Sequence, residues 1–106
     1  MKRVTLSFCM FAALASLAMA IEGVSPEKGK ALFTNKQLGT SGKSCDSCHP
    51  DGKGLKHAAA YYEGRLGMII NQCIKNPLKG KELDPSSAEM ISLIMYIKTL
   101  APSTRF

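Results

Sequence analysis

The pentapeptide Cys45-Asp46-Ser47-Cys48-His49 constrains this chain more than any other stretch. Two thiols three positions apart with an adjoining imidazole form the C-x-x-C-H pattern of covalent c-type haem attachment. Each thiol bonds one vinyl group of the same porphyrin, and the histidine then ligates the iron from one side. On that reading Cys45 and Cys48 hold one haem c per chain, His49 is the proximal ligand, and the remaining residues have to wrap the cofactor.

The first twenty residues stand outside that wrapping. Met1-Lys2-Arg3 is basic, residues 4–17 are apolar apart from Thr5, Ser7 and Ser16, and Ala18-Met19-Ala20 offers small residues for a signal-peptidase cut. The pattern predicts a signal peptide over 1–20, cleaved after Ala20, and a single domain over 21–106 exported to the periplasm. The apolar run is shorter than the ~20 residues a bilayer span needs, and no second run of that length follows. Phe8 is bulky where lipoprotein processing at Cys9 needs a small residue. No membrane span is therefore expected once the signal is removed.

A domain this short buries a marginal core by itself, and a haem would give it an apolar centre. Without Lys2 and Arg3 it keeps 12 basic residues against 8 acidic ones, a mild bias that two haem propionates would reduce. The lysines are spread from Lys28 to Lys81 with few aromatics between them, which argues against a nucleic-acid surface. They read as solvated faces, and secondarily as a collar that steers an acidic redox partner. Removal of Cys9 leaves three cysteines, so Cys73 is an odd thiol in an exported protein and requires an explanation.

Along the chain, Ser25-Pro26-Glu27 has the residues of a helix start: a capping hydroxyl, a proline at the first helical position and an acid at the positive end of the dipole. That helix is expected to reach about Asn35, with Gly29 and Phe33 on one face. A glycine inside a helix costs roughly 1 kcal/mol relative to alanine, so Gly29 is expected to mark a close approach by another backbone, with a tolerated surface glycine as the alternative. Residues 37–44 and 50–54 read as loop and turn, and 57–62 as a short helix or turn. Leu66, Ile69, Ile70 and Cys73 then form one apolar helical stripe, ended by Asn76-Pro77. Residues 78–84 form a lysine-rich loop. Ser86 and Glu89 have the spacing of a capping box for a last helix whose inward stripe is Met90, Leu93, Ile94, Ile97 and Leu100.

The Gly29/Phe33 pair, the C-x-x-C-H motif and a last helix carrying Tyr96 together resemble the class I cytochrome c family. The resemblance implies an all-α fold of three to four helices around one covalent haem, with the N- and C-terminal helices crossing at the small residue. More narrowly, Ile70-Asn71-Gln72-Cys73 with Leu78-Lys79-Gly80-Lys81, Leu83, Ser87, Glu89-Met90 and Tyr96-Ile97 resembles the SoxA/TsdA-type haem domain of sulfur-oxidation proteins. In ordinary class I cytochromes a methionine from the loop before the last helix is the sixth iron ligand, and 76–85 contains none. In the SoxA/TsdA domains a cysteine takes that place, in a segment similar to 70–73. Cys73, which also lies on the inward stripe with Leu66 and Ile70, is the distal candidate; Met90, Met68 and His57 are alternatives, Met95 stands behind them, and an open site with Cys73 as an inert or intermolecularly bridged thiol is the remaining option.

Three functions compete. The first is an electron carrier cycling between Fe(II) and Fe(III), with redox proteins as partners and no catalytic residues; no nucleophile with a paired base, phosphate loop or acid-base carboxylate pair is visible. The second is a haem subunit or enzyme of thiosulfate oxidation, which the narrower resemblance implies, although a single C-x-x-C-H is present. The third is a redox dithiol or half a zinc site, for which His57 and Cys73 are the further donors.

Overall fold

The computed structural model describes residues 23–101. The expected signal peptide, its cleavage point, Cys9 and the tail after Ala101 lie outside the described residues. Within them the chain is all-α, with four α-helical segments: α1 (Pro26–Phe33), the single turn α2 (Cys45–Cys48), α3 (Glu63–Lys75) and α4 (Ala88–Lys98). Two 3-10 turns, Pro50–Gly52 and Ala58–Ala60, lie between α2 and α3. Among the described residues there is no strand, only an isolated bridge between Gly39 and Gly80. No helix among them is long and apolar enough to cross a membrane.

α1 begins as its sequence dictates. The Ser25 hydroxyl accepts from Lys28 N at 3.0 Å, and Pro26 occupies the first turn. The helix stops at Thr34, whose backbone N–H turns back to Lys30 and Leu32. Its buried residues are Gly29 and Phe33, and that face lies on α4. A Cβ on Gly29 would sit 2.8 Å from Tyr96 Cβ and overlap the Ser92 carbonyl, so the first and last helices meet at backbone distance. Phe33 seals the contact edge-on against Tyr96, with ring centroids 5.2 Å apart. Ser92, fully buried, satisfies its hydroxyl on Ser25 N at 3.2 Å.

α4 starts one residue later than the capping-box spacing implies. Its N-cap is Ser87, which accepts from Met90 N at 3.2 Å. Ser86 is drawn the other way, because Asp84 Oδ1 accepts from both its N–H and its hydroxyl at 2.8 Å. These two bonds hold the Asp84 carboxyl below its usual range. Leu93, Ile94, Ile97 and Met90 are buried as their spacing requires, whereas the helix ends at Lys98 and Leu100 is only half-buried beyond it. Lys98 Nζ reaches back to the carbonyl of Tyr61 at 2.6 Å, fixing the end of the second 3-10 turn.

α3 buries Leu66, Gly67, Ile70 and Ile74. The stripe runs at i, i+4, i+8 and therefore includes Ile74, fully buried, where the expected stripe ended on Cys73. Ile69 and Cys73 lie beside it, half-buried. The loop after α3 is tied down at two points. Asn71 makes a paired contact with Leu83, Nδ2 donating to its carbonyl at 2.9 Å and Oδ1 accepting from its N–H at 2.8 Å. Gly39 and Gly80 come so close that a Cβ on Gly80 would lie 2.9 Å from Gly39 Cα. Ser41 N and Thr40 N donate to the carbonyls of Leu78 and Lys79 at 3.0 and 3.2 Å.

Asn71→Ala leaves the N–H and C=O of half-buried Leu83 without their partner. The expected cost is about 2 kcal/mol, from one to three for stranding such groups. Guanidinium unfolding of the variant checks it, and an unchanged midpoint would show that water replaces both bonds.

Candidate functional site

An apolar cleft lies between α2 and the α3–α4 pair. It encloses about 850 Å³ with its open mouth included. Cys45, Cys48 and His49 form one wall; Leu66, Ile69, Ile70 and Cys73 of α3 and Leu93 and Ile97 of α4 form the other. Phe33, Leu55 and Leu78 close it at the sides.

The attachment turn is fixed locally. Ser44 N donates to Ser47 Oγ at 2.9 Å across the first turn of α2. His49 N returns to the carbonyl of Cys45 at 3.0 Å. Asp46 Oδ1 accepts from Asp51 N at 3.0 Å and so pins the following turn, where Asp51 takes a left-handed conformation (φ 54°). This brings the carbonyl of Lys53 to 2.9 Å from His49 Nδ1. A carbonyl has no proton to offer, so Nδ1 carries the hydrogen and Nε2 of the neutral ring is left with a bare lone pair. An imidazole held in this tautomer by a backbone carbonyl is arranged as metal-binding histidines usually are.

Cys45, Cys48 and Cys73 carry free thiols. Burial in the cleft pushes the Cys45 thiol up to about 11, and Cys73 facing it adds to the rise. Cys73 is raised in the same way, by burial first and then by Cys48. Each thiol thus senses one from the opposite wall. The expected site residues from two distant stretches therefore share one cavity, with Cys45, Cys48 and His49 on one side and Cys73 on the other.

The other distal candidates are placed elsewhere. Met90 is fully buried, packed under Gly67 with its sulfur on the far side of the α3–α4 contact. Met68 is 66% exposed, and it lines the same outer groove as Met95. His57 is exposed and borders a separate depression with Asp51, Lys53 and Leu100. None of the four lines the cleft.

The lining suits a flat apolar group fastened at one edge. Two thiols and the unprotonated Nε2 of His49 belong to one wall, and the Cys73 thiol belongs to the opposite one. Ser44 and Lys43 add polar atoms to this lining, and neither stood out in the sequence as a site residue. The signal for Lys43 was its position two residues before the first motif cysteine. No protein-family model, curated protein or solved structure matches the chain.

Proposed function

We propose that the chain is a periplasmic monohaem c-type cytochrome of the class I kind, acting as an electron carrier. The observation that supports this reading is the wall made by Cys45, Cys48 and His49, which lines an apolar cleft with two thiols and an imidazole whose Nδ1 is held by the Lys53 carbonyl. When bound, a haem would supply an iron that takes up and releases one electron. Cys45 and Cys48 would fasten it, and His49 and Cys73 would hold the iron from the two walls. Phe33, Leu66, Ile70 and Leu93 would keep water from it. A buried and rigid surround limits reorganisation around the metal and tunes its potential. Lys43, Lys53, Lys56, Lys79 and Lys81 are exposed and favour acidic redox partners over other proteins.

The test is the spectrum of the protein purified from a host that attaches haem, in both oxidation states, with covalent haem content measured after denaturation. One haem per chain and a low-spin spectrum are expected; a colourless chain with three titratable thiols would overturn the reading.

A second reading, a haem subunit or enzyme of thiosulfate oxidation, draws on the Cys73 sulfur facing the cleft, as the SoxA/TsdA resemblance implies. Thiosulfate added to the oxidised protein distinguishes the two. Reduction of the protein favours the second reading, and persistence of the oxidised spectrum favours the carrier.

A further inference from the structure

We propose that Lys43 binds a propionate carboxylate of the haem held in the cleft and so sets the charge felt by the iron. The inference rests on the haem reading above. A porphyrin of this kind brings two carboxylates into a cavity whose lining is almost entirely apolar. An ionised carboxylate left unpaired there costs several kcal/mol, so it turns toward a cation or a donor. The donors on the lining can be counted. The Ser44 hydroxyl is engaged with Ser47 Oγ at 3.3 Å, and His49 Nδ1 with the carbonyl of Lys53. The two motif thiols become thioethers on attachment and lose their protons. Lys43 remains, the one lining residue with a permanent charge.

Its backbone is pinned as well. Lys43 N donates to Ser41 Oγ at 3.4 Å, and the next residue is locked by Ser47. The side chain thus leaves a fixed point two residues before Cys45, at the mouth of the cleft. Among the described residues the ion pair is Lys75–Glu82, at 3.4 Å, so no carboxylate among them pairs with the Lys43 ammonium.

The bland competitor is a lysine that lays its stem over apolar surface and keeps its charge in water. Methionine separates the two roles, because it keeps an unbranched apolar stem and removes the charge. An ionised propionate near the iron stabilises Fe(III), and a paired ammonium offsets that field. Loss of the ammonium therefore lowers the reduction potential.

The experiment compares wild type, Lys43→Met, Lys43→Arg and the control Lys81→Met, an exposed lysine that does not line the cleft. Covalent haem content is measured first, then the midpoint potential at one pH and ionic strength. Equal haem loading is expected throughout, with a lower potential in Lys43→Met, restoration toward wild type in Lys43→Arg, and little change in Lys81→Met. Equal loading with the Lys43→Met potential at the wild-type value, or lowered no more than in Lys81→Met, would overturn the role of Lys43 and leave the haem reading intact. A wild type without covalent haem would overturn both.

Discussion

Gly29→Ala is expected to lower the thermal midpoint by about 10 °C, and Gly29→Val to prevent folding. Two effects of opposite sign meet at this position. Alanine in a helix interior gains roughly 1 kcal/mol over glycine. Its methyl would overlap the Ser92 carbonyl and press on Tyr96 Cβ at 2.8 Å. Backbone does not escape by changing rotamer, so α1 and α4 have to separate. Overpacking of this sort costs typically 1–3 kcal/mol and sometimes more. Separation also opens the Phe33–Tyr96 edge contact and strains the Ser25–Ser92 hydrogen bond, which puts the cost at the upper end. A net loss of about 2 kcal/mol shifts the midpoint of a domain this size by ~4–8 °C per kcal/mol. Circular dichroism melts of wild type, Gly29→Ala and a control, Gly64→Ala, measure it. A Gly29→Ala midpoint at or above wild type would mean that the helices separate without cost.

On the proposed haem reading, Cys73→Met and Cys73→Ala are expected to change the spectrum in different ways. Cys73 is the sulfur on the wall facing His49, and Met90, Met68, Met95 and His57 are all placed outside the cleft. If Cys73 ligates the iron, alanine leaves that side without a protein ligand and the low-spin spectrum is lost. Methionine restores a sulfur donor but a neutral one, so Fe(II) is favoured and the potential rises relative to wild type. Neither change threatens the fold much, because Cys73 is only half-buried and the core of α3 is Leu66, Ile70 and Ile74. Visible and paramagnetic resonance spectra of the three proteins, with their potentials, decide the matter. An unchanged low-spin spectrum in Cys73→Ala would remove the ligand role.

Much of this architecture is legible in local sequence, and the failures have a common cause. Ser25-Pro26 opens α1 because the cap and the proline act within one turn, and Gly29 announces a close neighbour because nothing local favours glycine there. The position of Ser87 as the α4 cap was misread by one residue, since Asp84 competes for the Ser86 donors and a spacing rule does not see that competition. Ile74 escapes the i, i+3, i+4, i+7 pattern, which Cys73 already completes. Cys73 instead lies at the edge of the stripe, where it faces the cleft. Asn71 has no local partner that its position in the helix would announce, and it bonds to a loop twelve residues away. Lys43 was one lysine among many until the cleft gave it a setting. Contacts within a turn are written in the order of residues, whereas contacts between distant loops depend on how the helices have already packed.

The wall that holds Cys45, Cys48 and His49 is built within a single run from Ser44 to Lys53, closed by bonds that span at most five residues. Such short loops cost little entropy to close, and they close early. Cys73 comes from α3, and reaching the same cleft requires α3 to dock on α4. The two sides of the candidate site therefore differ in what they need: the Ser44–Lys53 wall needs only its own residues, and the opposite wall needs two helices packed together. On the proposed haem reading, the local wall could form while the cleft is still open at the side, before α3 docks across from it.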